Sequence, residues 1–220
     1  MSDAWAKVDT YIAGKLLAPD PALDAALVAN AAGGLPAIDV SAVQGKFLHL
    51  LALATGAKRI LEVGTLGGYS TIWLARALGE DGRLVTLELD PHHAAVAKAN
   101  VDRAGVGKKV EIRVGPAADT LAAMVAAGEG PFDLVFIDAD KQGNATYLRR
   151  AIDLARPGTV IIVDNVVREG EVIDPASPDP AVRGTRALFD ALAAEPRVTA
   201  TALQTVGTKK WDGFVMAVVR

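Results

Sequence analysis

Five short runs of nearly continuous apolar residues follow one another from about residue 58, separated by alanine-rich stretches. They are Arg59 to Val63, Leu84 to Leu89, Val110 to Val114, Phe132 to Ile137 and Thr159 to Val163. Strands without a polar face are typical of parallel sheets that helices cover on both sides. The alternation therefore predicts an α/β fold with a doubly wound sheet.

The carboxyl-terminal part of the chain has a different spacing. A loop rich in Pro and Asp, Glu169 to Pro180, precedes a helix near Ala181 to Ala194 and two apolar runs, Val198 to Leu203 and Gly213 to Val219. These runs lie too close together for the helical crossover that parallel neighbours need, so at least one is expected to be antiparallel. We predict seven strands, mostly parallel, with one reversed.

The first 57 residues favour helices instead. Helices are expected around Ala4 to Leu17, after Asp20-Pro21 and from Ser41, with a loop from Gly33 to Val40. Ser41 and Gln44 have the spacing of a capping box, and Gly56 stands where a left-handed C-terminal cap is expected. We predict one domain, in which 1–57 form a helical cap and 58–220 a Rossmann-like core.

Composition narrows the class of partner. The chain is 51% hydrophobic and 22% charged, its formal net charge is -3, and it has no cysteine. This balance gives no basic surface for nucleic acid or an anionic membrane, and any metal must use oxygen or nitrogen ligands. Without a signal-like amino terminus or a long apolar run, a cytoplasmic location and a small-molecule partner are expected.

A glycine-rich turn follows the first predicted strand and opens a helix. It reads Glu62-Val-Gly64-Thr-Leu-Gly67-Gly68-Tyr-Ser70. Its spacing differs from the G-x-G-x-x-G fingerprint, which weighs against a nicotinamide cofactor. By itself the turn is equally compatible with a tight connection that binds nothing.

An acid follows at the end of the second strand, in Leu87-Glu88-Leu89-Asp90. Glu88 lies about 20 residues beyond the turn, where doubly wound folds place a carboxylate on a ribose diol. A solvated strand-end acid is the alternative for Glu88, whereas Asp90 before Pro91 is expected to cap a helix. Together, the turn and the acid favour a nucleoside site.

Carboxylates also end the fourth and fifth strands, at Asp138 and at Asp164-Asn165. If these strands are neighbours, their ends lie about 4.8 Å apart, so both acids face one point. A divalent cation would relieve their repulsion, with the Asn165 carbonyl as a third ligand: Mg²⁺ first, Ca²⁺ or Mn²⁺ as alternatives. Either Asp alone is better explained as a helix cap, but the pair with Asn165 favours the metal.

Lys141, three residues after Asp138, is a candidate base. Partial burial near a cation would disfavour its charged form, whereas without the acids it would be a surface lysine. None of the histidines is expected to be catalytic. His49 is expected to pack within a helix, and His92 and His93 are expected to be exposed to solvent.

In chain order, these segments together with Gly115-Pro116-Ala117 resemble the cation-dependent caffeoyl-CoA and catechol O-methyltransferase family, and its bacterial members in particular. The resemblance covers about residues 38–220 and implies a seven-stranded methyltransferase sheet that binds S-adenosylmethionine, in a homodimer. It assigns cofactor contacts to Val40, Glu62, Gly64, Thr65, Ser70, Glu88, Ala117 and Asp140, metal ligation to Asp138, Asp164 and Asn165, and catalysis to Lys141 with Asp138.

The expected function is methylation of one hydroxyl of a catechol-like aromatic acceptor with adjacent hydroxyls. Arg168 stands where plant members carry a tryptophan, Glu169 replaces a polar amide and Val40 replaces a larger or more polar residue. A coenzyme A ester is therefore the least expected acceptor. A metal-independent methyltransferase with another small-molecule acceptor and a non-catalytic nucleoside-binding dimer are the alternatives.

Overall fold

The computed structural model describes residues 2–220, and its strands form one seven-stranded sheet. The strands are β1 (Arg59–Val63), β2 (Arg83–Glu88), β3 (Val110–Val114), β4 (Phe132–Ile137), β5 (Ala155–Asp164), β6 (Val198–Gly207) and β7 (Lys210–Val219). Their order is β3-β2-β1-β4-β5-β7-β6. Strands β1 to β5 pair in parallel, and β7 is antiparallel to both β5 and β6. The predicted mostly parallel sheet with one reversed strand is confirmed.

Helices cover both faces of this sheet. They are α1 (Ser2–Leu16), α2 (Pro21–Ala32), α3 (Ala42–Ala54), α4 (Tyr69–Ala77), α5 (Pro91–Arg103), α6 (Ala117–Ala126), α7 (Asn144–Asp153) and α8 (Pro180–Ala193). Short 3₁₀ helices span Gly107–Lys109, Lys141–Gly143 and Arg168–Ile173. Within residues 2–220, no helix has both the length and the apolar character that crossing a membrane requires.

The sheet is apolar on both faces because successive side chains of a strand point to opposite sides. In the central strand β4, Val135 and Ile137 join a core with α6, α7 and α8, whereas Leu134 and Phe136 join a second core with α2 to α5. All four side chains are fully buried. This two-sided burial explains why the central strands are nearly continuous in apolar residues, whereas the edge strand β3 alternates them with Glu111 and Arg113.

The last two strands are longer than the sequence predicted. They pair from Val198 and Val219 through to Gly207 and Lys210, although β6 exposes most of its side chains. Backbone hydrogen bonds to β7 hold this outer strand in the sheet, and they do not depend on whether its side chains are apolar. The hydrophobic pattern therefore predicted only part of β6 and of β7. It also missed the exposed start of β5 before Thr159.

Helix ends agree with most of the predicted caps. Asp90 caps α5 by accepting from His92 N at 2.7 Å, and Gly56 has the expected left-handed conformation, with φ of 60°. Ser41 Oγ accepts from Gln44 N at 3.2 Å, but the Gln44 side chain does not return to Ser41. It donates instead to Asp164 Oδ2 at 2.7 Å, so only half of the capping box forms.

Helix α3 packs closely on α4 through a glycine, which gives a first prediction. A Cβ on Gly45 would lie 2.3 Å from Trp73 Cδ1, and Trp73 is buried. We expect Gly45→Ala to destabilise the protein by about 1–3 kcal/mol, because overpacking outweighs the better helix propensity of alanine. Urea unfolding would measure the change.

Gly14 in α1 provides a matched control, since a Cβ there meets nothing within 4 Å. Gly14→Ala is expected to raise the free energy of unfolding by up to about 1 kcal/mol. The two substitutions should therefore have opposite signs. A stabilised Gly45→Ala protein would contradict the close packing of α3 on α4.

Candidate functional site

A cavity of about 560 Å³ opens at the carboxyl ends of the parallel strands. Strand order reverses between β1 and β4, which is where doubly wound sheets bind their ligands. Ten of the predicted site residues line this cavity: Val40, Gly64, Thr65, Ser70, Glu88, Ala117, Asp138, Asp140, Lys141 and Asn165. The other two, Glu62 and Asp164, are buried rather than on the cavity wall.

The glycine turn brings the ends of β1 and β4 into contact. Gly64 has a φ of 100°, and a Cβ on it would lie 2.3 Å from the carbonyl oxygen of Asp138. The Asp138 amide donates to Val63 O at 2.8 Å. Glycine is required at this position both for its backbone conformation and for the space it leaves. The turn and the acidic end of β4 thus form adjoining walls.

Glu88 fixes the shape of that turn. Its Oε2 accepts from the amides of Thr65 and Leu66 at 3.1 and 2.7 Å, and its Oε1 accepts from the Asp90 amide at 3.0 Å. These bonds hold Leu66 at a positive φ of 49°. A carboxylate has about four acceptor positions, so about one remains for a ligand hydroxyl.

The adjacent histidines differ from each other. His92 is exposed, as expected, and its Nε2 lies 2.8 Å from Gly33 O. The expectation for His93 is wrong, because its side chain lines the cavity with its Nδ1 3.5 Å from Glu88 Oε1. His49 packs as expected, with its Nδ1 3.1 Å from Trp73 O. No sequence pattern identifies His93, since only the docking of α5 beside β2 decides which side chain faces inward.

A chain of buried amides holds the loop at residues 33–40 against the glycine turn. Asn30 Nδ2 donates to Asp39 Oδ1 at 2.9 Å, and Asn30 Oδ1 accepts from Asn100 Nδ2 at 2.9 Å. Asn100 Nδ2 also lies 2.8 Å from Gly67 O. The loop therefore has a fixed position over the cavity. Neither asparagine was identified from the sequence, because the link joins helices 70 residues apart.

Glu62 lies beneath the turn and contacts hydroxyls instead of the cavity. Ser70 Oγ donates to its Oε1 at 2.6 Å, and Thr71 and Thr86 donate to its Oε2 at 2.5 and 2.7 Å. Complete burial raises the pKa of Glu62 to about 7 against these hydrogen bonds, and the charge of Asp138 adds to the rise. Glu62 thus meets the cavity only through Ser70.

Acid residues also gather at the neighbouring ends of β4 and β5. Lys141 Nζ donates to Asp138 Oδ1 at 2.8 Å, and Lys141 is 8% exposed, so the surface interpretation of this lysine is wrong. Asp164 accepts from Gln44 Nε2 at 2.7 Å and from Asn165 N at 2.9 Å. The pKa of Asp164 is raised to about 7, mainly by burial and secondly by the charge of Asp138.

The side-chain atoms that could bind a metal ion at the ends of β4 and β5 are all oxygen atoms. Asp138 and Asp164 offer carboxylates and Asn165 an amide carbonyl, a set that suits a hard divalent cation. The raised pKa of Asp164 also favours a metal site, because a bound cation would offset the repulsion between Asp164 and Asp138. Among residues 2–220 there is no cluster of three or more His, Cys, Asp or Glu side chains able to hold a metal ion. Asn165 would therefore have to complete the set.

Asp140 lies at the rim, where its carboxylate already has partners. Its Oδ1 accepts from Tyr147 OH at 2.5 Å and its Oδ2 from Gly143 N at 2.9 Å. The pKa of the Tyr147 phenol is raised, mainly by burial and secondly by its hydrogen bond to Asp140. Tyr147 also lines the cavity and was not identified from the sequence, where an aromatic residue in a helix indicates only packing.

Comparison with known proteins identifies the family. A family model described as O-methyltransferase matches residues 21–217. The chain belongs to this O-methyltransferase family. It is 56% identical to "Catechol O-methyltransferase" from Mycobacterium tuberculosis over 97% of this chain and 95% of that protein, and 54% identical to the protein of the same name from Niastella koreensis over 97% and 96%.

A solved structure gives the same family and fold. The O-methyltransferase from Bacillus cereus, solved in complex with SAH, has a TM-score of 0.98 against this chain, with 56% identity and full coverage of both chains. The resemblance inferred from the ordered segments is confirmed, as is the methyltransferase fold. The protein is an O-methyltransferase, while the roles of individual site residues stay predictions.

The buried state of Glu62 gives a second prediction. The folded protein keeps the proton on this carboxyl from its ordinary pKa of 4.5 up to about 7, whereas the unfolded chain releases it. Stability therefore falls as pH rises through this window. In Glu62→Gln this loss is absent, so its stability relative to the wild type should rise by on the order of 2 kcal/mol between pH 5 and 8.

Urea unfolding of both proteins at several pH values would measure this difference. The comparison isolates Glu62, because the other titrating groups are common to the two proteins. Equal pH dependence in wild type and Glu62→Gln would show that the buried carboxyl does not hold its proton in the folded state.

Proposed function

We propose that this O-methyltransferase transfers the methyl group of S-adenosylmethionine to one hydroxyl of a catechol-like acceptor, with the help of a divalent cation. One observation carries the proposal: Asp138 at the end of β4 and Asn165 after β5 line the same cavity as the turn that Glu88 anchors, and Asp164 is buried at the end of β5. The names of the relatives from Mycobacterium tuberculosis and Niastella koreensis and the SAH complex of the Bacillus cereus protein support it.

The donor half of the site lies at the ends of β1 and β2. Gly64 allows a ligand to approach the backbone, and Glu88 keeps about one acceptor position for a ribose hydroxyl. Ser70, oriented by Glu62, offers a polar contact in the same wall. These residues would hold the adenosyl part of S-adenosylmethionine with its methyl group directed toward β4.

The acceptor half lies at the ends of β4 and β5, where Asp138, Asp164 and Asn165 would hold the cation. Mg²⁺ is the first choice, with Ca²⁺ or Mn²⁺ as alternatives. When bound, the cation supplies the Lewis acidity that lowers the pKa of a coordinated hydroxyl. An acceptor with two adjacent hydroxyls suits such a centre, which is why a catechol is proposed.

Lys141 is the basic group of the chain at this point, with its Nζ 2.8 Å from Asp138 Oδ1. It takes the proton from the acceptor hydroxyl. The acceptor oxygen then bonds to the methyl carbon as the carbon–sulfur bond breaks, which leaves S-adenosylhomocysteine. The chain contributes mainly by holding oxygen, methyl and sulfur in line at close distance.

Metal dependence gives the third prediction. Methyl transfer from labelled S-adenosylmethionine to catechols should occur with Mg²⁺ and be lost with EDTA. Asp138→Asn should lower kcat/KM at least ~100-fold, because several kcal/mol of charge stabilisation depends on the cation. Asp119→Asn, which removes an exposed acid outside the cavity, is the matched control and should behave as the wild type.

Other results of this experiment select the alternatives. Transfer that survives both EDTA and Asp138→Asn would establish a metal-independent methyltransferase. Tight binding of S-adenosylmethionine without transfer to any catechol would point to another acceptor or to a non-catalytic binding protein.

Assembly as a homodimer is part of the proposal. It follows from the family resemblance, and the exposed apolar side chains of Tyr11 and Leu16 on α1 support it. Light scattering is expected to give twice the mass of the 22.8 kDa chain. A mass equal to one chain at micromolar concentration would contradict this assembly.

A further inference from the structure

Arg168 lies in the wall of the same cavity, on the side of β5. It follows Asn165 by three residues, in the segment that leaves the end of β5. Arg168 lines the cavity together with Asp138, Lys141 and Asn165. The acceptor half of the site is therefore bordered by an arginine for which the proposed chemistry has no use.

Within the described residues 2–220, no ion pair compensates the charge of this arginine. Its neighbour Glu169 pairs with Lys210 at 3.1 Å instead. Across residues 2–220, no acid comes close enough to Arg168 to form an ion pair, and its buried Nε has no hydrogen-bond partner. A buried N–H without a partner is unfavourable, and a carboxylate bound to this guanidinium would compensate its charge.

The backbone around Arg168 is held in an uncommon conformation. Arg168 and Glu169 have φ of 56° and 54°, in the left-handed region that side chains disfavour. Asp212 Oδ1 fixes them by accepting from the amides of Val167 and Arg168 at 2.9 and 3.1 Å. Such backbone strain persists where the surroundings impose it, commonly at functional sites. The backbone of Arg168 is therefore held in place by its contact with Asp212.

We infer that Arg168 binds a carboxylate of the acceptor, so that the preferred acceptors are dihydroxy aromatic acids. The guanidinium fork matches a carboxylate with two parallel hydrogen bonds. This inference rests on the proposed function. The methionine carboxylate of the methyl donor is the other source of the same chemistry, but the glycine turn and Glu88 place the donor half at β1 and β2, whereas Arg168 follows β5.

The test compares 3,4-dihydroxybenzoate with its methyl ester, which has the same hydroxyls but no charge. Wild type should prefer the acid about 10- to 100-fold in kcat/KM, the range expected of a charge-assisted hydrogen bond. Arg168→Gln should lose this preference through a higher KM for the acid, with little change for the ester. Arg149→Gln, an exposed arginine on α7 outside the cavity, makes the same charge change and should keep the preference.

Equal kcat/KM for acid and ester in the wild type would overturn the inference, and this result does not depend on any variant folding. An unchanged preference in Arg168→Gln would overturn it as well. So would weaker binding of S-adenosylhomocysteine in Arg168→Gln combined with an unchanged preference, because that result assigns the arginine to the methyl donor.

Calorimetry separates this inference from the proposed function. The dissociation constant of the acid, measured with S-adenosylhomocysteine present, should rise about 10- to 100-fold in Arg168→Gln and stay unchanged in Arg149→Gln. If wild type methylates neither compound, the proposed function fails, while this binding comparison still decides the role of Arg168. Equal affinity of wild type and Arg168→Gln for the acid would overturn the inference.

Discussion

The contact between the ends of β1 and β4 is the constraint on which the rest of the site depends. Gly64 packs against the carbonyl of Asp138 with no room for a Cβ, so the turn after β1 and the acid after β4 share one edge of the sheet. The β1 side carries the turn that Glu88 anchors, and the β4 side leads to Asp164 on β5. The proposed transfer needs donor and acceptor within reach of each other, and this contact provides that proximity.

Buried carboxyls give this edge an unfavourable electrostatic environment that the fold only partly compensates. Glu62 receives three hydroxyl hydrogen bonds and Asp164 an amide from Gln44, yet the pKa of each is raised to about 7. Around them, the buried parts of β1 and β5 are apolar, from Ile60 to Val63 apart from Glu62 itself and from Val160 to Val163. Buried acids with a raised pKa are common in functional sites, which agrees with the proposed cation.

Polar contacts that join distant parts of the chain complete the cavity. Gln44 reaches Asp164 across 120 residues, and Asn100 ties the loop over the cavity to Gly67 through Asn30. Each of these side chains has an ordinary local explanation in the sequence, as a helix-capping or helix-surface residue. Their roles depend on which helix packs beside which strand end. Gln44 shows this most clearly, since half of its predicted capping box is given up for the contact with Asp164.

The sequence by itself determined the sheet, because buried parallel strands must be apolar on both faces, and the bounds of β1 and β4 follow from that requirement. It also determined the family, through glycines and acids that keep a fixed order along the chain. The tertiary structure alone decided that His93 faces the cavity, that Glu62 lies behind Ser70 and that Arg168 has no acidic partner among residues 2–220. The physical reason is that periodicity records which face of an element is buried, whereas the partner of a polar side chain is set by the packing of elements far apart in the chain.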